Sequence, residues 1–346
     1  MSISSRGSPP FLGVPNEILV RILKGASLHD LQAFTHATGL PSVVQFVLKE
    51  RLRLLLSLWG LDDLASRNMM RTTGSVLGGS AALSMIHPNT LVPCNLDFYC
   101  PLGNAGLVLD FFKARGYHDL SFGGRDPVSP GMGVKRVYTL GSLETLQGVN
   151  VVESLSLSPL VPVLYSPTTL VMNYVSSEAV VCCYPALTTA KKGILNSPPC
   201  SMLTGGASAR NIAMFAWRGC IDKYRKLYAF DVQCKQQCDS STCDHLVGRT
   251  CLLAERRASD TYHLRVGFGD VVPLNVGPDV RWVQINEVEP VGGNDDDPYV
   301  PGVSWPRYPV FTLIVVVDGK ERERFFGKKL YPGDFWYDAV ENALGS

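Results

Sequence analysis

Residues 76–101 read VLGGSAALSMIHPNTLVPCNLDFYCP, and this stretch constrains the chain more than any other. It predicts a strand ending in a tight turn at Gly78-Gly79-Ser80, then a short helix, then a second strand carrying Asn95 and Asp97. Two residues apart on a strand, Asn95 and Asp97 point to one face. A turn of small residues lets backbone approach a phosphate, and carboxylate oxygens on a neighbouring strand hold the accompanying metal. Gly78, Gly79, Ser80 and Asn95 are therefore the expected nucleotide-binding set, with Asp97 as the acid.

These residues resemble the core motif of the nucleotidyltransferase superfold: a hydrophobic residue, Gly, Gly or Ser, a spacer, then an acidic–hydrophobic–acidic triplet. The triplet here is Asn95-Leu96-Asp97, so its first acid is an amide. The resemblance implies a third acid on an adjacent strand, matched to Gly148–Glu153, where the corresponding position is Asn150. Glu153 lies three residues further on, which on a regular strand is the opposite face unless a bulge intervenes. The family's chemistry needs two Mg²⁺ ions held by carboxylates and substrate phosphates. One Asp between two amides is a weak cage for them. Four readings stay open at this point: an active transferase using Asp97 and Glu153 with Mg²⁺ and a nucleotide, a degenerate domain that still binds nucleotide, a degenerate scaffold, or no relation to the superfold.

The chain begins with a Ser/Pro/Gly-rich segment, 1–10, expected to be disordered, followed by FLGVPNEILVRILKGASLHDLQAF. Pro15 suits a first helical turn and Glu17 its positive end. Ile18, Leu19, Ile22 and Leu23 follow at helical spacing. Ser27 with Asp30 predicts a capping box opening a second helix, and Gly39-Leu40-Pro41 breaks it. Two further helices are expected at about 42–59 and 61–70. The segment Pro15-Asn16-Glu17-Ile18-Leu19, with Ile22-Leu23 and Asp30-Leu31, resembles an F-box. That resemblance implies docking on a Skp-type adaptor of a cullin–RING ubiquitin ligase through Pro15, Ile18, Leu19 and Ile22. The alternative is a helical layer that packs on the next domain and buries all four.

Downstream, Asn104 is a candidate cap for a helix over Leu107–Ala114, and Val134–Leu140 with Gln147–Leu155 predict an antiparallel pair. The uncharged run 154–177 holds three prolines and many hydroxyls, so it suits buried strands and turns rather than a membrane span. Strands are expected near 282–288 and 310–317, with Asp318-Gly319 turning into Lys320–Phe326. Cys234, Cys238, Cys243 and His245 are a candidate structural zinc set, against free thiols or a disulfide. Cys94, Cys100, Cys182, Cys183 and Cys220 are expected to be packing residues. His87 is expected in a loop, and Lys191-Lys192 and Arg256-Arg257 on solvated surface.

A net charge of +1 argues against a dedicated nucleic-acid or membrane surface. Ten cysteines in 346 residues are too few for a disulfide scaffold, and no apolar signal region is visible, so a cytoplasmic or nuclear protein is expected. In layout the chain resembles a group of fungal proteins joining an F-box-like start to a nucleotidyltransferase-like domain and a Cys-containing tail. Gly78–Ser80, Asn95–Pro101, Thr168–Asn173 and the region Cys234–Cys251 carry that likeness. The expected fold is α/β (α+β): a helical layer over 11–70, a mixed sheet over 71–190 and a β-rich region within 191–346. The expected function is a non-catalytic interaction protein, a substrate receptor of a ubiquitin ligase; the alternative is a metal-dependent nucleotidyltransferase.

Overall fold

Four helices lead into the sheet. In the computed structural model the residues described are 13–120, 133–144, 147–166, 168–194, 223–231, 256–269, 279–285, 310–317 and 320–326. Helix α1 (Asn16–Leu23) starts directly after Pro15, whose ring fixes φ at a helix-compatible value. Helix α2 (Leu28–Thr38) has the full capping box: the Asp30 N–H donates to Ser27 Oγ at 3.2 Å and the Ser27 N–H to Asp30 Oδ2 at 3.1 Å. Helix α3 (Pro41–Ser57) carries Pro in its first turn and buries Val43, Val44, Val47, Leu48, Leu52, Leu55 and Leu56. Helix α4 (Asp63–Thr73) is capped by Asp62, which accepts from the Ala65 N–H at 2.7 Å.

The chain then gives β1 (Val76–Gly78), α5 (Gly79–Ile86), β2 (Asn95–Cys100), α6 (Ala105–Lys113), β3 (Tyr117–Asp119), β4 (Val134–Ser142) and β5 (Gly148–Ser154). After α7 (Leu160–Leu164) and a 3-10 turn at Thr169–Val171 come β6 (Asn173–Val175), β7 (Ala179–Cys182), α8 (Pro185–Thr189) and β8 (Lys192–Ile194). Strands β9 (Ala229–Asp231), β10 (Arg256–Arg257), β11 (Leu264–Gly267), β12 (Asp279–Ile285), β13 (Val310–Val317) and β14 (Lys320–Phe326) follow. Eight strands form a mixed sheet in the order β11-β7-β6-β1-β2-β5-β4-β3, with β2 and β5 parallel and its other neighbours antiparallel. A four-stranded antiparallel sheet, β10-β12-β13-β14, and a parallel pair, β8-β9, complete the described α/β fold.

Two cores sit on opposite faces of the large sheet. On one face Leu77, Leu96, Phe98, Cys100, Val149 and Val151 meet α1–α6, in one cluster that runs from Leu19 to Phe268. On the other face Val76, Tyr174 and Val181 meet α7 and the inner residues Val280 and Trp282 of the small sheet. Arg51 ties the helical layer to the rest. Its guanidinium donates to Met85 O at 2.6 Å, at the end of α5, and to Ala26 O at 2.9 Å, between α1 and α2. Among the described residues no helix is long and apolar enough to cross a membrane.

Several local expectations change. Asn104 stands at the start of α6 but turns its amide to Thr73 O at 2.8 Å instead of capping. Cys94 is exposed, whereas Cys100, Cys182 and Cys183 are buried. His87 stands in the loop just past α5, as expected, but is buried, with Nε2 2.7 Å from Thr188 O. Arg256 is the largest correction: it is 2% exposed, not solvated. Its Nε donates to Asp260 at 3.0 Å, its Nη2 to Cys183 O at 2.9 Å, and its guanidinium lies over the Tyr184 ring. A planar cation with one carboxylate, one carbonyl and aromatic faces around it can be buried where an ammonium could not. Among its described residues the uncharged run is buried as expected, apart from the exposed Leu157 and the partly buried Leu155. Ser154, Ser156 and Ser158 each accept from the N–H two residues on, which satisfies polar groups that have no solvent.

Candidate functional site

Strand β2 alternates strictly. Leu96, Phe98 and Cys100 enter the helical core, while Asn95, Asp97 and Tyr99 are partly exposed on the other face. Register places Gly78 of β1 opposite Asp97 on one side and Asn150 of β5 opposite it on the other. Asp97 is therefore the centre of a row crossing three strands. The Asn95 amide donates to Asp97 Oδ1 at 2.5 Å and the Asn150 amide donates to the same oxygen at 2.8 Å. The amides of Asn95 and Asn150 are thus both turned onto the one acid of the row.

The two glycines serve different ends. A Cβ on Gly78 would lie 2.6 Å from the Tyr99 ring, so this residue is Gly because an aromatic ring covers it. Gly79 has φ +60°, and a Cβ there would lie 2.6 Å from Asp97 Oδ2. Only Gly tolerates both the left-handed backbone and the close carboxylate. Ser80, buried at the head of α5, accepts a hydrogen bond from Lys223 Nζ at 3.2 Å. The stretch after Lys223 is anchored by Tyr224 and Tyr228, which are buried with Leu83 and Leu170.

Burial pushes the Asp97 carboxyl above the usual carboxylate range. The Asn150 amide, the Lys223 charge and the Asn95 amide each pull it part of the way back. Protein surrounds the half-buried Asp97, so desolvation leads and its partners only moderate it.

The structure brings Gly78, Gly79, Ser80, Asn95 and Asp97 together and leaves Glu153 out. Glu153 pairs with Cys100 and sits on the helical face of the sheet, opposite to Asp97. Its Oε1 accepts from Gly103 N at 2.9 Å and from Lys135 Nζ at 3.1 Å. The offset of three residues is not undone: the irregularity in this pairing lies between Val134 and Arg136 of β4, and β5 keeps its alternation against β2. The expectation that Glu153 could help Asp97 is corrected accordingly.

Two Mg²⁺ ions need several anionic oxygens on one face. Here that face offers one carboxylate, one oxygen of which already accepts from two amides, and the Lys223 ammonium is hydrogen-bonded to nearby Ser80. This donor set does not fit a metal pair. Among the described residues no group of three or more His, Cys, Asp or Glu is placed to hold a metal ion. Cys234, Cys238, Cys243 and His245 lie outside the described residues.

On α1, Leu19 is 2% exposed and belongs to the core, so it is not part of an outer surface. Ile18 is 43% and Ile22 67% exposed, and Pro15 is exposed as well. Spacings of three and four residues set Pro15, Ile18 and Ile22 on one outward stripe. Lys223 and Tyr99 were not legible as site residues. Lys223 lies more than a hundred positions from Ser80 with no motif around it, and Tyr99 is one more aromatic in a strand. Comparison with protein families, with curated proteins and with solved structures returns no match to this chain.

Proposed function

We propose that this chain is a non-catalytic interaction protein, an F-box-like receptor that docks a Skp-type adaptor through α1 and uses the nucleotidyltransferase-like sheet as its scaffold. One observation carries the reading: α1 is two-faced. Leu19 and Leu23 anchor it to the core, while Pro15, Ile18 and Ile22 stand in solvent on a folded helix. Exposed apolar residues in a stripe, on an element that is already well anchored, are a feature of docking helices. The Asp97 site supports the non-catalytic half of the reading, because its remaining charge is committed to neighbours within the chain.

The test is retention of a Skp-type adaptor by the purified full chain at micromolar concentration. Retention by the wild type, lost in Ile18→Glu/Ile22→Glu with the fold intact, supports the role. No retention by the wild type removes it. The rival transferase reading is tested separately: transfer of labelled nucleotide to an acceptor by the pure protein, abolished by Asp97→Ala, would replace the non-catalytic half.

A further inference from the structure

We infer that Lys223 is a built-in cation of the Asp97 site, standing where a divalent ion would otherwise balance the carboxylate and so keeping such ions out. The inference rests on the non-catalytic reading of the site given above. It begins from a mismatch. The turn at Gly78-Gly79-Ser80 and the carboxylate of Asp97 have the layout that suits a phosphate and its metal, yet the remaining donors do not suit the metal.

Three features of this chain show what takes up the charge. The Lys223 ammonium is fixed by a 3.2 Å hydrogen bond to Ser80 Oγ, the residue directly after the glycine that Asp97 Oδ2 approaches. It acts on Asp97 electrostatically, in the sense that favours the ionised carboxylate. Lys223 is itself exposed, but the backbone that carries it is held in place, since Tyr224 and Tyr228 are buried beside Leu83 and Leu170, and β9 pairs with β8 just beyond. A lysine on a free tail would be a mobile surface charge. This one sits on a stretch whose next turn is packed against α5.

The consequence is electrostatic. A divalent ion approaching Asp97 meets a like charge that already acts on the same carboxylate, and that repulsion offsets part of the attraction a single carboxylate supplies. Removing the ammonium leaves Asp97 with two amides, which retain neutral oxygens able to join a hard cation's shell.

The experiment is Mn²⁺ titration of the full chain, read by electron paramagnetic resonance of free Mn²⁺ and by thermal unfolding. Lys223→Met is expected to bind Mn²⁺ about tenfold or more tighter than the wild type. Lys223→Arg, which keeps the charge, is expected to behave as the wild type does. Asp97→Asn on the Lys223→Met background is expected to lose the gain, which locates the ion. Equal Mn²⁺ affinity in wild type and Lys223→Met overturns the inference, as does a gain that persists in the double variant. Nucleotide transfer by the wild type would instead overturn the reading beneath it, so the two failures are distinguishable.

Discussion

At Gly79 two demands meet: a left-handed backbone and a carboxylate oxygen where a side chain would begin. Gly79→Ala is expected to destabilise the chain by about 2 kcal/mol, from left-handed strain plus displacement of Asp97. In urea unfolding, Asp97→Ala should recover part of that loss in the double variant, because it removes the displaced group; strict additivity would show that the contact carries no energy. Asp97 itself has a pH signature. A carboxyl raised by burial holds its proton in the folded chain at pH values where the unfolded chain has released it. Stability therefore declines as pH rises from about 4 through the raised value. Asp97→Asn cannot ionise, so its stability relative to wild type should grow as pH rises above about 4. A difference that stays flat over that range would mean that the amides and Lys223 fully offset the burial.

On the scale of an element, α1 shows how one short helix can have two roles. Eight residues are too few to hold a helix by themselves, so its order comes from Leu19 and Leu23 packing on α3 and its neighbours. Leu19→Ala should cost about 2–5 kcal/mol, as a fully buried leucine does. Ile18→Glu and Ile22→Glu should each change stability by less than about 0.5 kcal/mol while abolishing any adaptor binding. Chemical denaturation of the three variants checks this, and a large loss at Ile22 would show that the outer stripe is structural after all. Strand β5 makes the same point for a sheet. Asn150 and Glu153 are three residues apart, and alternation alone sends one to the Asp97 row and the other to the Cys100 side.

For the molecule as a whole, the small sheet is joined to the large one around Trp282. Its indole N–H donates to Tyr184 OH at 2.8 Å, and His263 stacks on its ring at 5.6 Å. Burial lowers the His263 pKa to about 4, with Asp260 opposing and Arg256 reinforcing the shift. The unfolded chain then takes up a proton that the folded chain refuses, so stability is lost as pH falls from about 6.5 towards about 4. The loss should approach roughly 3 kcal/mol, and His263→Phe, which keeps the stack and cannot titrate, should remove that part of the slope. Unfolding followed by Trp fluorescence at several pH values reads it directly. An unchanged slope in His263→Phe would place the acid sensitivity elsewhere.

Much of this architecture is set by near neighbours in the chain. The capping box at Ser27 and Asp30, the break at Gly39–Pro41, the strand–turn–helix–strand unit around Gly79 and the pairing of β4 with β5 all rest on local steric and hydrogen-bonding preferences. Such preferences act over a few residues, so a linear chain displays them. The paired positions of Asp97 and Asn150 followed from strand periodicity once the strands were placed. What the chain could not display was the company each charged group keeps. The partner of Ser80 lies at Lys223, that of Arg256 at Cys183 and Tyr184, and the ring that covers Gly78 belongs to Tyr99. Burial decides those roles, because a charge is costly away from water unless folding delivers its partners, and only the packed sheets and helices determine which side chains arrive together.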